Sequence, residues 1–454
     1  MFWLRNAAQW LFYVALFVTV WAYGGTTSWS IQLMDTLLAG VLLLWVIELL
    51  INRRKPRFPR FLLFLLIALL AIGSWMALNA GAILDTDFSV FVPIAKWVPH
   101  APGSVDYALS AAWMIRVALL SGTLLFVADL SQDNRALLHL CYAIGFVAGS
   151  IALLGLLQKA TGAPMIFWQP SPEEGPIKTF FATFYYHGNA GAFLNLVLPL
   201  TAGLALRAFT APSGPNVRAL SAACFVLCLA SAAANTSRMA QFVALLIVIA
   251  LAWRLGPALL HRLSRTERKA ALGGAAAFLL VLYALAQASH LDQPLDRWQR
   301  LTEYIPNDAR WLADRVAISI LPETGVVGFG PGTFRVLFPI YNNTHNPPVP
   351  GFWSFLHEDY LQTLLEWGWL GSALWALLLF GGMVFAIRNL RRPRAKTWSQ
   401  RRRLILPLVV IALGGVAIHA LIDFPLQIAS IQLYVATYLG ICWGSGSWTA
   451  EDRK

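Results

Sequence analysis

Residues 356–371, LHEDYLQTLLEWGWLG, gather His357, Glu358 and Asp359 at the head of an apolar run, with Glu366 inside it. Ionisable groups at membrane depth are costly and persist mainly where they work or are well paired. On a helix, Asp359, Gln362 and Glu366 share one stripe at i, i+3 and i+7, while Leu361, Leu364 and Leu365 face elsewhere. His357 falls at the helix start, at the water boundary. A lone histidine there is ordinarily a polar end residue. Beside a bound anion it becomes a candidate general base, because its unperturbed pKa is about 6.5.

Holding an anion would fall to arginines. NTSRMAQF sets Arg238 between two apolar runs, where the plain alternative is a side chain snorkelling to the headgroups. Thr236 and Ser237 beside it serve equally as caps or phosphate donors. NDARWLADRVAISILPETG starts a helix at Asp308, with Arg310 and Asp314 at i, i+4 and Arg315 on the next turn beside Trp311. That spacing allows an intrahelical ion pair worth roughly 0.2–0.5 kcal/mol, or an arginine pair facing an anion. GFGPGTF, 328–334, lacks the Lys-Ser/Thr of a phosphate loop and reads as a glycine-rich chain reversal. FATFYYHGNAGAFL puts His187 and Asn189 at the mouth of another helix, and HALIDFPLQ puts His419 and Asp423 near the outer end of a third. Arg116, inside a further apolar run, is expected to pair with one of these acids.

The elements that must position these groups follow from composition. The chain has 454 residues, 58% hydrophobic and 12% charged, with a net charge of +12. Soluble domains carry about 25% charged residues, so this is an integral membrane protein. The positive charge is therefore tested against loop topology rather than taken as a sign of nucleic acid, which is not an expected partner. Cys141, Cys224, Cys228 and Cys442 all lie in apolar runs and read as packing residues. The first apolar run, after MFWLRN, reads as a retained helix rather than a cleaved signal.

A spanning helix needs about 20 apolar residues, which predicts twelve: 7–24, 30–51, 60–80, 108–130, 136–158, 188–208, 217–236, 239–256, 270–289, 359–387, 404–422 and 428–446. The 217–256 region reads as a hairpin or a broken pair. With the N-terminus inside, the cytoplasmic loops and ends hold 24 of the 34 Lys and Arg, which places both termini in the cytoplasm. The outer segments 81–107, 159–187 and 290–358 are longer than turns. The last carries Trp298, Tyr304, Trp311, Tyr341, Phe352 and Trp353, and a helix from Asp308 to about Leu321, as a structured loop lining a site would. The expected fold is an all-α integral membrane protein of about 12 transmembrane helices. Nine lie in 1–289, the structured loop is 290–358, and three more helices and a cytoplasmic tail occupy 359–454.

Taken in order, ATFYYHGNAGAFL, SRMA, RWLADRVAISILPETGVVGFGPGTF, HEDYLQTLLEWGWLG and HALIDFPLQ resemble the O-antigen ligase and polymerase family of bacterial membrane glycosyltransferases. The resemblance runs over about residues 100–445 and is most specific at 310–371. It implies a multi-pass protein of the bacterial inner membrane with its site facing the periplasm, and membrane lipids around it. The donor it implies is an undecaprenyl-diphosphate-linked glycan, and the acceptor a lipid A-core or a growing glycan. It implies catalytic roles for Arg238 and Arg310 on the diphosphate and for His357 on the acceptor hydroxyl, with no metal and no cofactor. Arg315, His187, Asn189, Glu358, Asp359, Tyr360 and Asp423 become substrate-binding candidates. HED stands where the family has HND, SRM where it has SRG, and Asp314 where it often has Trp, which bears on specificity. O-antigen ligation in lipopolysaccharide biosynthesis is the first reading. Polymerisation of repeat units and transfer to a protein side chain share the scaffold. A transporter or flippase fits the topology less well, because internal repeats are absent and the charges gather at one face.

Overall fold

The computed structural model describes residues 2–88, 90–170, 179–262 and 308–449. The predicted span 270–289, with Trp298 and Tyr304 of the outer loop, lies outside them. The described residues form thirteen α-helices: α1 Phe2–Trp21, α2 Ser28–Ile51, α3 Arg60–Leu78, α4 Tyr107–Leu130, α5 Asn134–Ala160, α6 His187–Thr210, α7 Pro215–Ala234, α8 Arg238–Arg262, α9 Ala309–Thr324, α10 Phe334–Asn342, α11 Asp359–Arg391, α12 Gln400–His419 and α13 Ala429–Gly444. Nine of them, α2–α8, α11 and α12, are long and apolar enough to cross a bilayer. Helices α1 and α13 occupy two further predicted positions. The protein is an all-α membrane protein. One feature the hydropathy pattern does not foretell is a two-stranded antiparallel hairpin, β1 Ala82–Asp85 with β2 Val90–Pro93, in the first long connection.

Helix starts follow from local chemistry. Asp106, Asp133, Asp308, Glu358 and Ser399 each accept a backbone N–H of the first turn of α4, α5, α9, α11 and α12. The 217–256 region resolves into two helices, α7 and α8, separated by Asn235–Ser237.

Helix α6 is the centre of the bundle. Every residue from His187 to Ala205 is buried, and α5, α7, α8 and α12 pack around it. Small residues allow the close approach, as expected where backbones must pack without a hydrophobic drive. A Cβ on Gly191 would lie 2.2 Å from that of Ala240, and one on Gly440 would lie 2.7 Å from the Leu124 carbonyl.

The two ends of the bundle differ. At one, Arg54 grips Asp129 through both Nη atoms, at 2.8 and 2.7 Å, and Glu48 at 2.8 Å, fixing the α2–α3 connection to the end of α4. At the other lies a second apolar core, separate from that of the bundle, built from Ala313, Val316, Ile320, Phe334, Phe338 and Leu356. The segment 308–358 is thus a folded cap, not a linker.

Candidate functional site

Helix α11 begins under that cap and is broken at Gly368, whose φ of 64° and ψ of −172° no helix interior adopts. The break leaves carbonyls without intrahelical donors, and the glycine segment supplies them. Phe329 and Gly330 N–H donate to the Leu365 and Glu366 carbonyls, each at 2.9 Å, and Leu370 N–H donates to Val326 at 3.0 Å. The Glu366 carboxylate then accepts Gly332 and Phe334 N–H at 3.0 and 3.1 Å. GFGPGTF is a docking strap, consistent with a chain reversal and not with a phosphate loop. On its other side Phe329 accepts from Val105 N–H and Pro331 from the Ser110 hydroxyl, which joins the strap to the start of α4.

The polar stripe of α11 is bonded throughout. Asp359 is fully buried, with Leu426 N–H and the Gln427 amide on its two oxygens at 2.8 and 2.9 Å. Gln362 accepts Leu356 N–H at 2.9 Å and donates to Glu366 at 3.1 Å. These groups set the start of α11 against the turn before α13, and with it His357.

The Asp423 carboxylate is the hub of the site. His357 Nδ1 donates to its Oδ1 at 3.0 Å, the Tyr186 hydroxyl donates to its Oδ2 at 3.0 Å, and Phe424 N–H adds a third bond at 3.1 Å. His419 lies 3.7 Å from Oδ2, at ion-pair rather than hydrogen-bond distance. Burial opposes the Asp423 charge, but His357 and His419 beside it hold the carboxyl well below the usual range. The His357 Nδ1–H bond leaves Nε2 as the basic nitrogen. Phe424, Trp353 and Tyr186 ring the imidazole edge-on, with centroids at 4.7, 5.5 and 5.9 Å.

Arg310 reaches the same hub from the cap. Its Nη2 donates to the Tyr186 hydroxyl at 3.0 Å, and its Nε lies 3.9 Å from Asp308. Burial works against its charge, and Tyr186, Asp423 and Asp308 more than restore it. The Arg310–Asp314 ion pair that the spacing allows does not form. Asp314 instead keeps a buried Oδ1 without a hydrogen-bond partner among the described residues, and burial pushes its carboxyl up. Glu358 caps α11 through Tyr360 and Leu361 N–H, and burial, with Asp314 nearby, pushes it up to about 7.

Arg238 heads α8 and is partly exposed. Its helix is bolted to the mouth of α6: Asn235 donates to the His187 carbonyl at 2.9 Å, and Asn195 donates to that of Ala240 at 2.8 Å. Arg238 therefore stands at the end of the bundle that holds Tyr186, next in sequence to His187. Asn189 is buried there, its Oδ1 without a partner among the described residues. Arg315 is exposed, on a different face of α9 from Arg310. Tyr360 donates to the Ala417 carbonyl at 2.6 Å. It also lines an apolar cavity of about 310 Å³ between α4, α11 and α13, with Trp113, Glu366, Trp375 and Gln427. Arg116 does not join the site acids. It lies over the Trp113 ring at 5.0 Å, with Asp35 of α2 as the acid facing it.

Sequence reasoning missed Tyr186 altogether, and had His419 beside Asp423 without a role. The signal for Tyr186 was its place immediately before His187 at a helix mouth. The arrangement pairs an oriented base with permanent positive charge, as displacement of an anionic leaving group by a hydroxyl requires.

Residues 223–376 match the family model described as O-antigen ligase. The interval contains Arg238, Arg310 and His357 and excludes Tyr186, His419 and Asp423. No curated protein matches the chain.

Proposed function

We propose that this chain, whose residues 223–376 match the family model described as O-antigen ligase, transfers a glycan from an undecaprenyl-diphosphate-linked donor to an acceptor hydroxyl. The observation that carries the reading is the hub. One buried carboxylate orients His357 and is linked through one phenol to Arg310.

In this reading His357 Nε2 takes the acceptor proton as the oxygen attacks the anomeric carbon from the face opposite the diphosphate. The bond from that carbon to the diphosphate oxygen breaks, and undecaprenyl diphosphate leaves with the electron pair. Arg310 and Arg238 meet the growing charge, a task suited to a planar, permanently charged fork. Asp423 keeps the imidazole in the needed tautomer and steadies the imidazolium. No metal is required for these steps. Asn189 and Glu358 would meet sugar hydroxyls, and the cavity beside Tyr360 offers an apolar bed for a polyprenyl chain. The cap then faces the periplasm of a bacterial inner membrane, with both termini in the cytoplasm.

The acceptor assigned is a lipid A-core, making the protein an O-antigen ligase of lipopolysaccharide biosynthesis; the folded cap over the site favours this over a polymerase. His357→Ala, Arg310→Ala and Arg238→Ala are expected to abolish glycan transfer at normal expression. Turnover surviving in the His357 variant removes the general-base role. Deleting the gene should leave unmodified lipid A-core and accumulate long lipid-linked polymer. Single-repeat products would instead identify a polymerase.

A further inference from the structure

We infer that Tyr186 couples the two halves of the site, so that loading the lipid-diphosphate donor onto Arg310 strengthens His357 as a proton acceptor. The inference rests on the roles given above to Arg310 and His357. It concerns a residue outside the family match.

The geometry is a continuous chain. Arg310 Nη2 donates to the Tyr186 oxygen, that hydroxyl donates to Asp423 Oδ2, and Asp423 Oδ1 accepts His357 Nδ1–H, each at 3.0 Å. The phenol cannot swing aside. Its ring stacks on Phe424 with centroids at 5.5 Å and lies 4.9 Å from that of His187. Gly188 makes room for the contact, since a Cβ there would stand 2.3 Å from the Tyr186 ring and 2.4 Å from Asp423 Oδ2. Burial and the charge of Asp423 push the phenol up, so it remains a donor.

Linked hydrogen bonds polarise one another. While Arg310 donates to Tyr186, the phenol is a stronger donor to Asp423 and draws off part of its charge. A diphosphate pulls the guanidinium into charge-assisted bonds of its own. Tyr186 then donates less strongly, and more of the Asp423 charge acts on His357, which holds a proton more tightly. The base is thus strongest when a donor is present. Around His357 and the Asp423 carboxylate stand His419 from α12, Asp314 and Arg310 from α9, Tyr186 from the mouth of α6, and Glu358 next to His357 in sequence. Among the described residues, Tyr186 alone hydrogen-bonds both Arg310 and Asp423.

The test is calorimetry of undecaprenyl diphosphate binding to the purified full-length protein, in buffers of different ionisation enthalpy at pH 7. Comparison with His357→Ala removes the lipid's own ionisation. Wild type should take up measurably more protons per lipid bound than His357→Ala. Tyr186→Phe keeps the ring stack, and its excess should fall below half of the wild-type value while affinity stays within about tenfold, since direct attraction between diphosphate and imidazole persists. An undiminished excess in Tyr186→Phe, or none in wild type, overturns the coupling. The second outcome is decided without the Tyr186 variant. Absence of any binding to wild type fails the donor assignment instead.

Discussion

The acids around His357 divide by what their oxygens do. Those of Asp359, Glu366 and Glu358 are spent on backbone and amide donors, whereas Asp423 bonds His357, and Asp314 and Glu358 have raised affinity for protons. Glu358 gives a sign that can be checked. Its carboxyl stands at about 7 in the folded protein against an ordinary 4.5, so folding binds a proton between those values. Its contribution to stability is complete below about 4.5 and is lost as pH rises through about 7. The thermal midpoint should therefore decline over that window, and Glu358→Gln should flatten the decline; an unchanged slope would assign it to another group. His357, Arg310 and Asp423 were legible in the sequence because charge near a membrane demands a reason. Tyr186 was not, because an aromatic at a helix mouth looks the same whether it anchors at an interface or links two ionised groups.

Among the elements, the strap 328–334 depends most on backbone conformation. Gly330 has a φ of 114°, and a Cβ there would lie 2.1 Å from Ser104 Oγ. Gly330→Ala combines that clash with strain of about 1–3 kcal/mol. The expected result is a cap more open to protease across 308–358 and transfer reduced at least about tenfold, with the transmembrane helices retained. A cap as resistant as wild type would show the strap to be dispensable. Among the described residues the positions of the long apolar helices were readable from hydropathy, and α9 from its capping Asp308. The break at Gly368 was not, because LEWGWLG differs from an ordinary apolar helix only in φ and ψ, which a partner distant in sequence decides.

Across the whole molecule, the charge asymmetry of the loops sets the proposed orientation, and the site end of the bundle carries the cap. With the four native cysteines replaced, an impermeant thiol reagent applied from outside should label a cysteine at position 345 and miss one at 396. The reverse pattern inverts the orientation. The proposed topology rests on loop arginines, which are counted without knowing any contact. The packing of α6 at the centre was not legible in the sequence, since helices buried all round and those facing lipid have similar composition.

The broken helix also bears on how such proteins can be recombined. Carbonyls at Leu365 and Glu366 find donors in the strap, about 36 residues upstream, and lipid offers no substitute. A chimera that takes the cap from one relative and α11 from another would strand those groups. The heritable module is the stretch from Val326 to Leu370, crossing the water boundary, and domain swaps should cut outside it.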